Sequence, residues 1–398
     1  MEPYSFNFPI WVEFGKGSSR KVGEIAEKMG WKKAFIVTDS GIRKAGLLDG
    51  IIEALESHKV LYYIYDKVQP NPTDIGVEDA AKLVKEEKCD FIVAVGGGSS
   101  MDTGKGAALL ATNPGGIKNY EIRGMEDLAM GKIKNHLLPL ITIPTTAGTG
   151  SEIDFWAVIT DTERKFKMVL GQSPLYPGGP YLGAMFALVD PLLTVTLPPA
   201  QTASTGIDAL SHAIETYVAK GSPPFVEPLA LRAIELISKY LPVAYADGSN
   251  IEARENMMFA AHIAGICENL ANCGIMHSLG EVVGGMYWKI PHGVAIAVFM
   301  PKVMEFNRIS VPEKFKKIAI AMGENVRGLS LREASLKAIE AIKNLLEDLE
   351  LPKNLRSLGV EEKSLPEIAK KAMETVELEG NPRKATYEDL LMIAKSCY

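Results

Sequence analysis

The chain has 398 residues, of which 47% are hydrophobic and 23% charged, and its formal net charge is −6 at pH 7. This composition is typical of a folded globular protein of two or three domains, and it excludes a disordered chain and the basic surface that nucleic acid binding needs. The sequence has no apolar stretch of about 18 residues, no basic segment before an apolar one at its start, and only four cysteines, so we expect a cytoplasmic protein without a membrane span, a secretory signal or a disulfide framework.

The first half of the chain alternates short apolar runs with amphipathic segments. Runs rich in β-branched and aromatic residues occupy positions 34–38, 61–65, 91–95 and 139–143, and a helical pattern at 77–87 lies between two of them. Runs that are almost wholly apolar are typical of strands buried on both faces. The alternation predicts an α/β domain over residues 1–190, with a parallel sheet and helices on both of its faces.

Strand signals thin out after Asp190, and long helical patterns begin near Ala209, Pro228, Asn256 and Leu331. We therefore expect an all-α domain over residues 191–398. Two segments around this boundary are rich in proline. Residues 189–204 read as the boundary itself, and the Gly-Pro-rich residues 173–183 read as an exposed loop.

A glycine-rich turn is the most informative stretch of the first half. Three glycines at 96–98 follow a buried strand, and Ser99 and Asp102 then have the spacing of a capping box. Glycines let the backbone approach a ligand, and the N–H groups of a new helix attract an anion. Met101 excludes a G-x-G-x-x-G fingerprint, and Ser99 and Gly106 exclude a P-loop. The turn is either a phosphate or pyrophosphate site of another type or a turn without a ligand.

A second turn of small residues, 141–152, follows the next strand and carries the hydroxyls of Thr145, Thr146 and Thr149. Ligands of open α/β sheets bind beyond the carboxyl ends of the strands, so two such turns favour the ligand interpretation. Asp39 also follows a strand. Its carboxylate could accept a hydrogen bond from a ribose hydroxyl, or it could cap the next helix.

Three of the six histidines have an unusual context. Asp208 and His212 are four residues apart, hence on one face of a helix. His277 lies in a helical pattern, and His292 lies in a Pro-His-Gly turn. Together these residues form a His₃Asp set that suits Fe(II), Zn(II), Mn(II), Co(II) or Ni(II), although an Asp–His pair can also be a surface hydrogen bond. The remaining histidines read as surface, turn or core residues: His58, His136 and His262.

These stretches, taken together and in this order, resemble the iron-containing (group III) alcohol dehydrogenase family. The resemblance covers nearly the whole chain, from a pattern that begins at Phe6 to the Asn-Pro-Arg at 381–383, and includes residues 96–105, 144–152 and 206–215. Members are NAD(P)-dependent oxidoreductases. The resemblance implies a Rossmann-like dinucleotide-binding domain, a helical domain, and an active site in the cleft between them.

The resemblance also implies a role for individual residues. Those at the cofactor pyrophosphate are Gly97, Gly98 and Ser99. Those on the nicotinamide side are Asp102, Thr145, Thr146 and Thr149. Two further cofactor positions are Asn71 and Lys167. The implied metal ligands are Asp208, His212, His277 and His292.

The chain departs from the family pattern at one position close to the implied metal. Where the family usually has a second histidine that relays the alcohol proton, this chain has Glu281, and the spacing from His277 to His292 is one residue longer. On a helix, Glu281 lies one turn from His277. It is either a proton relay, a partner that orients His277, or a solvent-facing side chain.

The resulting expectation is a metal-dependent alcohol dehydrogenase. A divalent metal, Fe(II) foremost, polarises the alcohol oxygen, and hydride passes between a small alcohol and the nicotinamide to give an aldehyde or ketone. Asp39 favours NAD over NADP because it would repel a 2′-phosphate. We expect a homodimer or higher homo-oligomer. The alternatives are an NAD-dependent metal lyase or cyclase related to dehydroquinate synthase, and a degenerate nucleotide-binding regulatory protein.

Overall fold

The computed structural model describes residues 7–398, without the side chain of residue 125, so Phe6 lies outside the described residues. The described chain separates into two compact units. The first comprises residues 7–146 and Ser151–Thr196, and the second comprises Ala147–Gly150 and Leu197–Tyr398. The predicted fold class, an α/β part followed by an all-α part, is confirmed.

The strands all lie in the first unit as far as the chain is described. They are β1 (Trp11–Phe14), β2 (Lys33–Val37), β3 (Leu61–Tyr65), β4 (Phe91–Gly96), β5 (Leu140–Pro144), β6 (Trp156–Asp161), β7 (Phe166–Gly171) and β8 (Phe186–Val189). Six of them form one sheet in the order β1-β8-β5-β4-β2-β3, and every pair in it is parallel. β6 and β7 form a separate antiparallel hairpin.

Helices cover both faces of the sheet, as predicted. They are α1 (Val22–Met29), α2 (Ser40–Lys44), α3 (Asp49–Ser57), α4 (Asp74–Glu86), α5 (Gly98–Thr112) and α6 (Met125–Met130), with 3-10 turns at Ser18–Lys21, Ile117–Tyr120 and Pro191–Thr194. Ile36 and Val93 pack with α1 and α3 in one core. Successive side chains of a strand point to opposite faces, and α5 lies on the other face, where a Cβ on Gly104 would come within 2.7 Å of the Ala94 Cβ.

The second unit is helical in all its described residues. Its helices are α7 (Pro199–Val218), α8 (Val226–Ala246), α9 (Ile251–Glu268), α10 (Ile275–Met286), α11 (His292–Arg308), α12 (Pro312–Ala321), α13 (Leu331–Asp348), α14 (Leu365–Ala372) and α15 (Tyr387–Ser396), with 3-10 turns at Arg356–Leu358, Glu362–Ser364 and Val376–Gly380. Helix α7 packs against α8, α9 and α11 and is buried along most of its length. Among residues 7–398, no helix combines the length and apolar character that a membrane-crossing segment requires.

The predicted loop at 173–183 is exposed only in its first half. Residues 173–178 are exposed or half-buried, whereas most of 179–183 is buried. The Gln172 side chain holds the buried half, because its Nε2 donates to the Pro180 carbonyl at 3.1 Å, and the Leu182 N–H donates to the Gln172 carbonyl. The proline and glycine pattern indicates a turn but does not show which part of it packs against the unit.

Candidate cofactor turn and metal centre

The glycine turn connects β4 directly to α5. Gly96 ends β4 with a φ of +148°, and a Cβ there would lie 2.5 Å from the Ser100 Oγ, so only glycine fits. Gly97 is the N-cap, and no side chain caps the helix. The predicted capping box of Ser99 and Asp102 is therefore wrong, because the helix begins one residue before Ser99.

The first turn of α5 is open to a ligand. Gly97, Gly98 and Ser99 are half-buried, while the residues on either side are buried. Beside them, the hydroxyl of Thr146 would lie 3.3 Å from a Cβ on Gly97. The Thr145 Oγ1 is buried and accepts or donates no hydrogen bond within residues 7–398. A bound phosphate group would accept hydrogen bonds from the N–H groups at the helix start and from this unsatisfied hydroxyl.

A buried ionic network anchors this turn from within the first unit. The Lys105 Nζ, which is fully buried, donates to Asp154 Oδ1 at 2.5 Å, to Ser151 Oγ at 2.9 Å and to the Trp156 carbonyl at 2.6 Å. Ser151 in turn donates to Asp102 Oδ1 at 2.7 Å. Burial raises the pKa of both Asp102 and Asp154, and the charge of Lys105 opposes that rise. Asp102 thus links α5 to the turn after β5.

Three further cofactor candidates lie in the same unit. The Asp39 Oδ1 accepts from the N–H groups of Gly41 (2.7 Å) and Ile42 (3.1 Å), so Asp39 does cap α2. Its other oxygen would lie 3.9 Å from a Cβ on Gly96, so this oxygen lies next to the glycine turn. Asn71 has a φ of +57° in the loop before α4, and Lys167, on β7, acts electrostatically on Asp102.

The predicted metal ligands all lie in the second unit, as does Thr149. One ligand atom each of Asp208, His277 and His292 lies within 4.8 Å of the other two. The Asp208 Oδ1 is 3.5 Å from the His292 Nε2. His292 is the first residue of α11 with Pro291 as its N-cap, so its assignment to a turn is wrong.

His212 completes the cluster through its contact with His277. The two rings are stacked, with centroids 4.5 Å apart and planes at 20°. His212 and Asp208 are 4% and 3% exposed, which excludes a surface hydrogen bond between them. Burial also lowers the pKa of His212, which favours the neutral imidazole that a metal requires. Two buried nitrogens, His212 Nδ1 and His277 Nε2, make no hydrogen bond in the described chain, so the residues present fit a bound cation.

Glu215, which sequence reasoning missed, orients His277. The His277 Nδ1 donates to Glu215 Oε2 at 2.6 Å, and the Met276 N–H donates to Oε1 at 2.8 Å. A carboxylate on one ring nitrogen fixes the tautomer and leaves the other nitrogen for a metal. The signal was present in the sequence, since Glu215 lies seven residues after Asp208 on the same helix face.

Cys273 was also missed, because only the fold shows that it lies beside both His212 and His277. Its thiol lies within 4.8 Å of ligand atoms of both His212 and His277, and it is 3% exposed. Burial disfavours the charged form of His277, but Cys273 and Glu215 outweigh it and raise the His277 pKa.

Glu281 lies inside the second unit. It sits on α10 one turn from His277 and is 6% exposed, so the solvent-facing alternative is wrong. The preceding Gly280 passes close to His292, since a Cβ on it would lie 3.8 Å from the His292 Cε1. A relay role and an orienting role for Glu281 both stay open.

The other histidines lie outside the candidate metal groups found among the described residues. His136 is exposed and His262 is 5% exposed on α9, in line with surface and core roles. The His58 Nδ1 contacts the Ala54 carbonyl at 2.9 Å.

Two family models together match nearly the whole chain. The family model for iron-containing alcohol dehydrogenase matches residues 9–191, and the model for the C-terminal part of the Fe-containing alcohol dehydrogenase family matches residues 202–398. The chain belongs to the iron-containing alcohol dehydrogenase family. The predicted enzyme class is confirmed: this alcohol dehydrogenase is an oxidoreductase, and the lyase and regulatory alternatives are not favoured.

Characterised relatives of this alcohol dehydrogenase match it end to end. It is 41% identical to the 1,3-propanediol dehydrogenase of Klebsiella pneumoniae over 97% of this chain and 96% of that one. It is 40% identical to the NAD-dependent methanol dehydrogenase of Bacillus methanolicus over 98% and 99%. The solved structure of an alcohol dehydrogenase from Oenococcus oeni has a TM-score of 0.92 at 37% identity and covers 100% of both chains.

Proposed function

We propose that this alcohol dehydrogenase interconverts a small primary alcohol or diol and its aldehyde with NAD, and that Asp208, His212, His277 and His292 hold a divalent cation, Fe(II) foremost. The observation that carries the proposal is the pair of buried, unsatisfied nitrogens of His212 and His277, together with the ligand atoms of Asp208 and His292 that lie within 4.8 Å of one on His277. Relatives named for methanol and 1,3-propanediol support a small alcohol. Location in the cytoplasm and assembly as a homodimer or higher homo-oligomer stay predictions.

The chain's own groups bind and orient the reactants. A divalent cation in the His₃Asp cluster would supply Lewis acidity toward the alcohol oxygen, and NAD would supply the hydride acceptor. The N–H groups of Gly97, Gly98 and Ser99, at the positive end of α5, would bind the pyrophosphate. Glu215 keeps His277 in the tautomer whose Nε2 carries no proton, and this nitrogen would bind the cation.

A panel of alcohols tests this function. The Fe(II)-reconstituted chain is incubated with NAD and, in turn, methanol, ethanol, 1-propanol, 1,2-propanediol and 1,3-propanediol, and the absorbance of NADH is followed. We expect NADH to form with at least one of them and to stop forming when the corresponding aldehyde accumulates. NADH formation with none of them, from a folded and metal-loaded chain, would overturn the proposed substrate class.

The position of Asp39 predicts cofactor choice. We expect NAD to be preferred over NADP by at least about tenfold in kcat/KM, because the Asp39 oxygen beside the glycine turn would repel a 2′-phosphate. Asp39→Asn should narrow the preference and keep the fold, since asparagine caps a helix as well as aspartate does. Kinetics with both cofactors measure the ratio; a wild type that prefers NADP tenfold would contradict this role.

Glu281 predicts a second kinetic effect. If Glu281 relays the alcohol proton, Glu281→Gln should lower kcat by about 10²-fold and flatten one limb of the pH–rate profile, because glutamine cannot exchange a proton. Metal content must stay normal, which elemental analysis checks. An unchanged profile would instead assign Glu281 to orienting its neighbours on α10 and α11.

A further inference from the structure

A second group of metal-binding side chains overlaps the proposed one. Ligand atoms of His212, Cys273 and His277 lie within 4.8 Å of one another, and each residue is at most 4% exposed. We propose that these three residues form a separate site for a thiophilic cation such as Zn(II) or Cd(II). The site shares His212 and His277 with the proposed catalytic set, but it depends on the sulfur of Cys273 and not on Asp208 or His292.

The backbone at Cys273 is held in place by the side chain of the preceding residue, Asn272. Cys273 lies between α9 and α10, four residues before His277. The Asn272 Oδ1 accepts from the Cys273 N–H at 2.9 Å, and the Asn272 Nδ2 donates to the Val376 carbonyl at 2.8 Å. The thiol itself interacts with the His277 ring. The sulfur is therefore fixed next to the histidines by the fold rather than by a mobile loop.

The donor set suits a soft cation. His212 Nδ1 and His277 Nε2 are buried and make no hydrogen bond with any described residue, so two nitrogens are available beside the sulfur. In tetrahedral zinc sites the Zn–S and Zn–N distances are about 2.3 and 2.0 Å, which places ligand atoms roughly 3.5 Å apart. The ligand atoms lie at most 4.8 Å apart, so each pair needs to approach by no more than about 1.3 Å to reach this separation. Thiolates select zinc and softer ions over hard ions such as Mg(II) and Mn(II).

Charge around the site favours a dication. The carboxylates of Glu215 and Glu268 lie close enough to Cys273 to act on it electrostatically. On binding, the S–H bond breaks, a metal–sulfur bond forms, and the proton leaves to the buffer, with no change of oxidation state. The two carboxylates then stabilise the positive charge that remains on the complex.

Occupancy of the two metal groups is mutually exclusive. Both use His277, whose Nδ1 is bonded to Glu215, so only its Nε2 is open to a cation. When a cation is bound to Cys273, it also occupies this nitrogen and His212, so neither can bind a cation in the His₃Asp cluster. Thiophilic cations are therefore inhibitors of the iron-loaded enzyme that act from inside the metal centre.

Cadmium titration of the metal-free full chain tests the site. We expect one equivalent of Cd(II) to produce a thiolate-to-cadmium charge-transfer band in the ultraviolet. Cys273→Ser should reduce the band at least tenfold. Cys267→Ser is the matched control, since Cys267 is also buried but its sulfur faces the Val226 carbonyl, and it should keep the band. Asp208→Asn should keep it too, because Asp208 is outside the sulfur group.

Several outcomes overturn the proposal. These are a wild type without the band, a band that survives Cys273→Ser, and a band that Asp208→Asn abolishes. Cadmium-113 NMR of the wild type needs no substitution and therefore covers the case in which Cys273→Ser fails to fold. We expect a resonance in the range of sulfur-ligated cadmium. A resonance typical of nitrogen and oxygen ligands alone would contradict the site. A cadmium band in a chain whose Fe(II)-reconstituted form, free of cadmium, oxidises none of the alcohols would refute the proposed function and leave this site standing.

Discussion

His277→Ala is expected to lower kcat/KM for the alcohol by roughly 10³-fold or more, because the Lewis acidity lost with the cation stabilises the transition state by several kcal/mol. His277 belongs to both metal-binding groups and is the residue that Glu215 orients. Elemental analysis should find the variant without bound metal. NAD affinity should be unchanged, because the glycine turn lies in the other unit.

A buried histidine outside the cluster provides the control for this substitution. His262→Gln changes a 5% exposed histidine on α9 and should keep both the metal and the turnover. Stoichiometric metal in His277→Ala, or an equal loss of metal in His262→Gln, would show that the His277 effect does not come from ligation.

Lys105→Met is expected to lower the free energy of unfolding of the first unit by about 3–5 kcal/mol, since it leaves the buried Asp154 carboxylate without its cation. Denaturant unfolding measures the loss. The loss should shrink as the pH falls: without Lys105, burial holds the folded-state pKa of Asp154 above its unfolded value, so the folded state binds more protons and gains stability in acid. NAD affinity should also fall, because Asp102 and the start of α5 depend on this network.

An exposed ion pair of equal length provides the comparison. Lys28 and Glu24 are also 2.5 Å apart, with side chains 72% and 50% exposed, and Lys28→Met should leave the free energy of unfolding almost unchanged. Lys105→Met combined with Asp154→Leu should recover most of the loss, because it removes the unpaired charge. A Lys105→Met effect no larger than that of Lys28→Met would contradict the assigned role of the buried pair.

The sheet could be predicted from sequence only in its centre. β2 to β5 lie on the apolar runs at 34–38, 61–65, 91–95 and 139–143, because parallel strands covered on both faces need such runs. β1 and β8 are four-residue strands, too short to give a clear pattern. The hairpin of β6 and β7 alternates buried and half-buried residues along β6, a pattern that a search for continuous apolar runs misses.

The candidate site could be predicted as a set of positions but not as a set of contacts. Motif order pointed to Asp208 and His277, and helix periodicity predicted that His212 shares a face with Asp208. Glu215, Cys273 and Lys105 are identified by their contacts in the fold. Their partners lie 62, 4 and 49 residues away along the chain. The error at His292 has a local cause, since a proline before a helix reads as a turn until the helix after it is seen.

The most direct test of the account asks whether turnover depends on a cation in the His₃Asp cluster. The chain is first freed of metal with a chelator, and the rate of NADH formation from an alcohol is measured. One equivalent of Fe(II) is then added under anaerobic conditions, and the rate is measured again. Elemental analysis confirms the metal content at each step. The predicted result is no turnover without metal, recovery with Fe(II), and no recovery in Asp208→Ala. Turnover by the metal-free wild type, or full recovery in Asp208→Ala, would contradict a catalytic cation at Asp208, His212, His277 and His292.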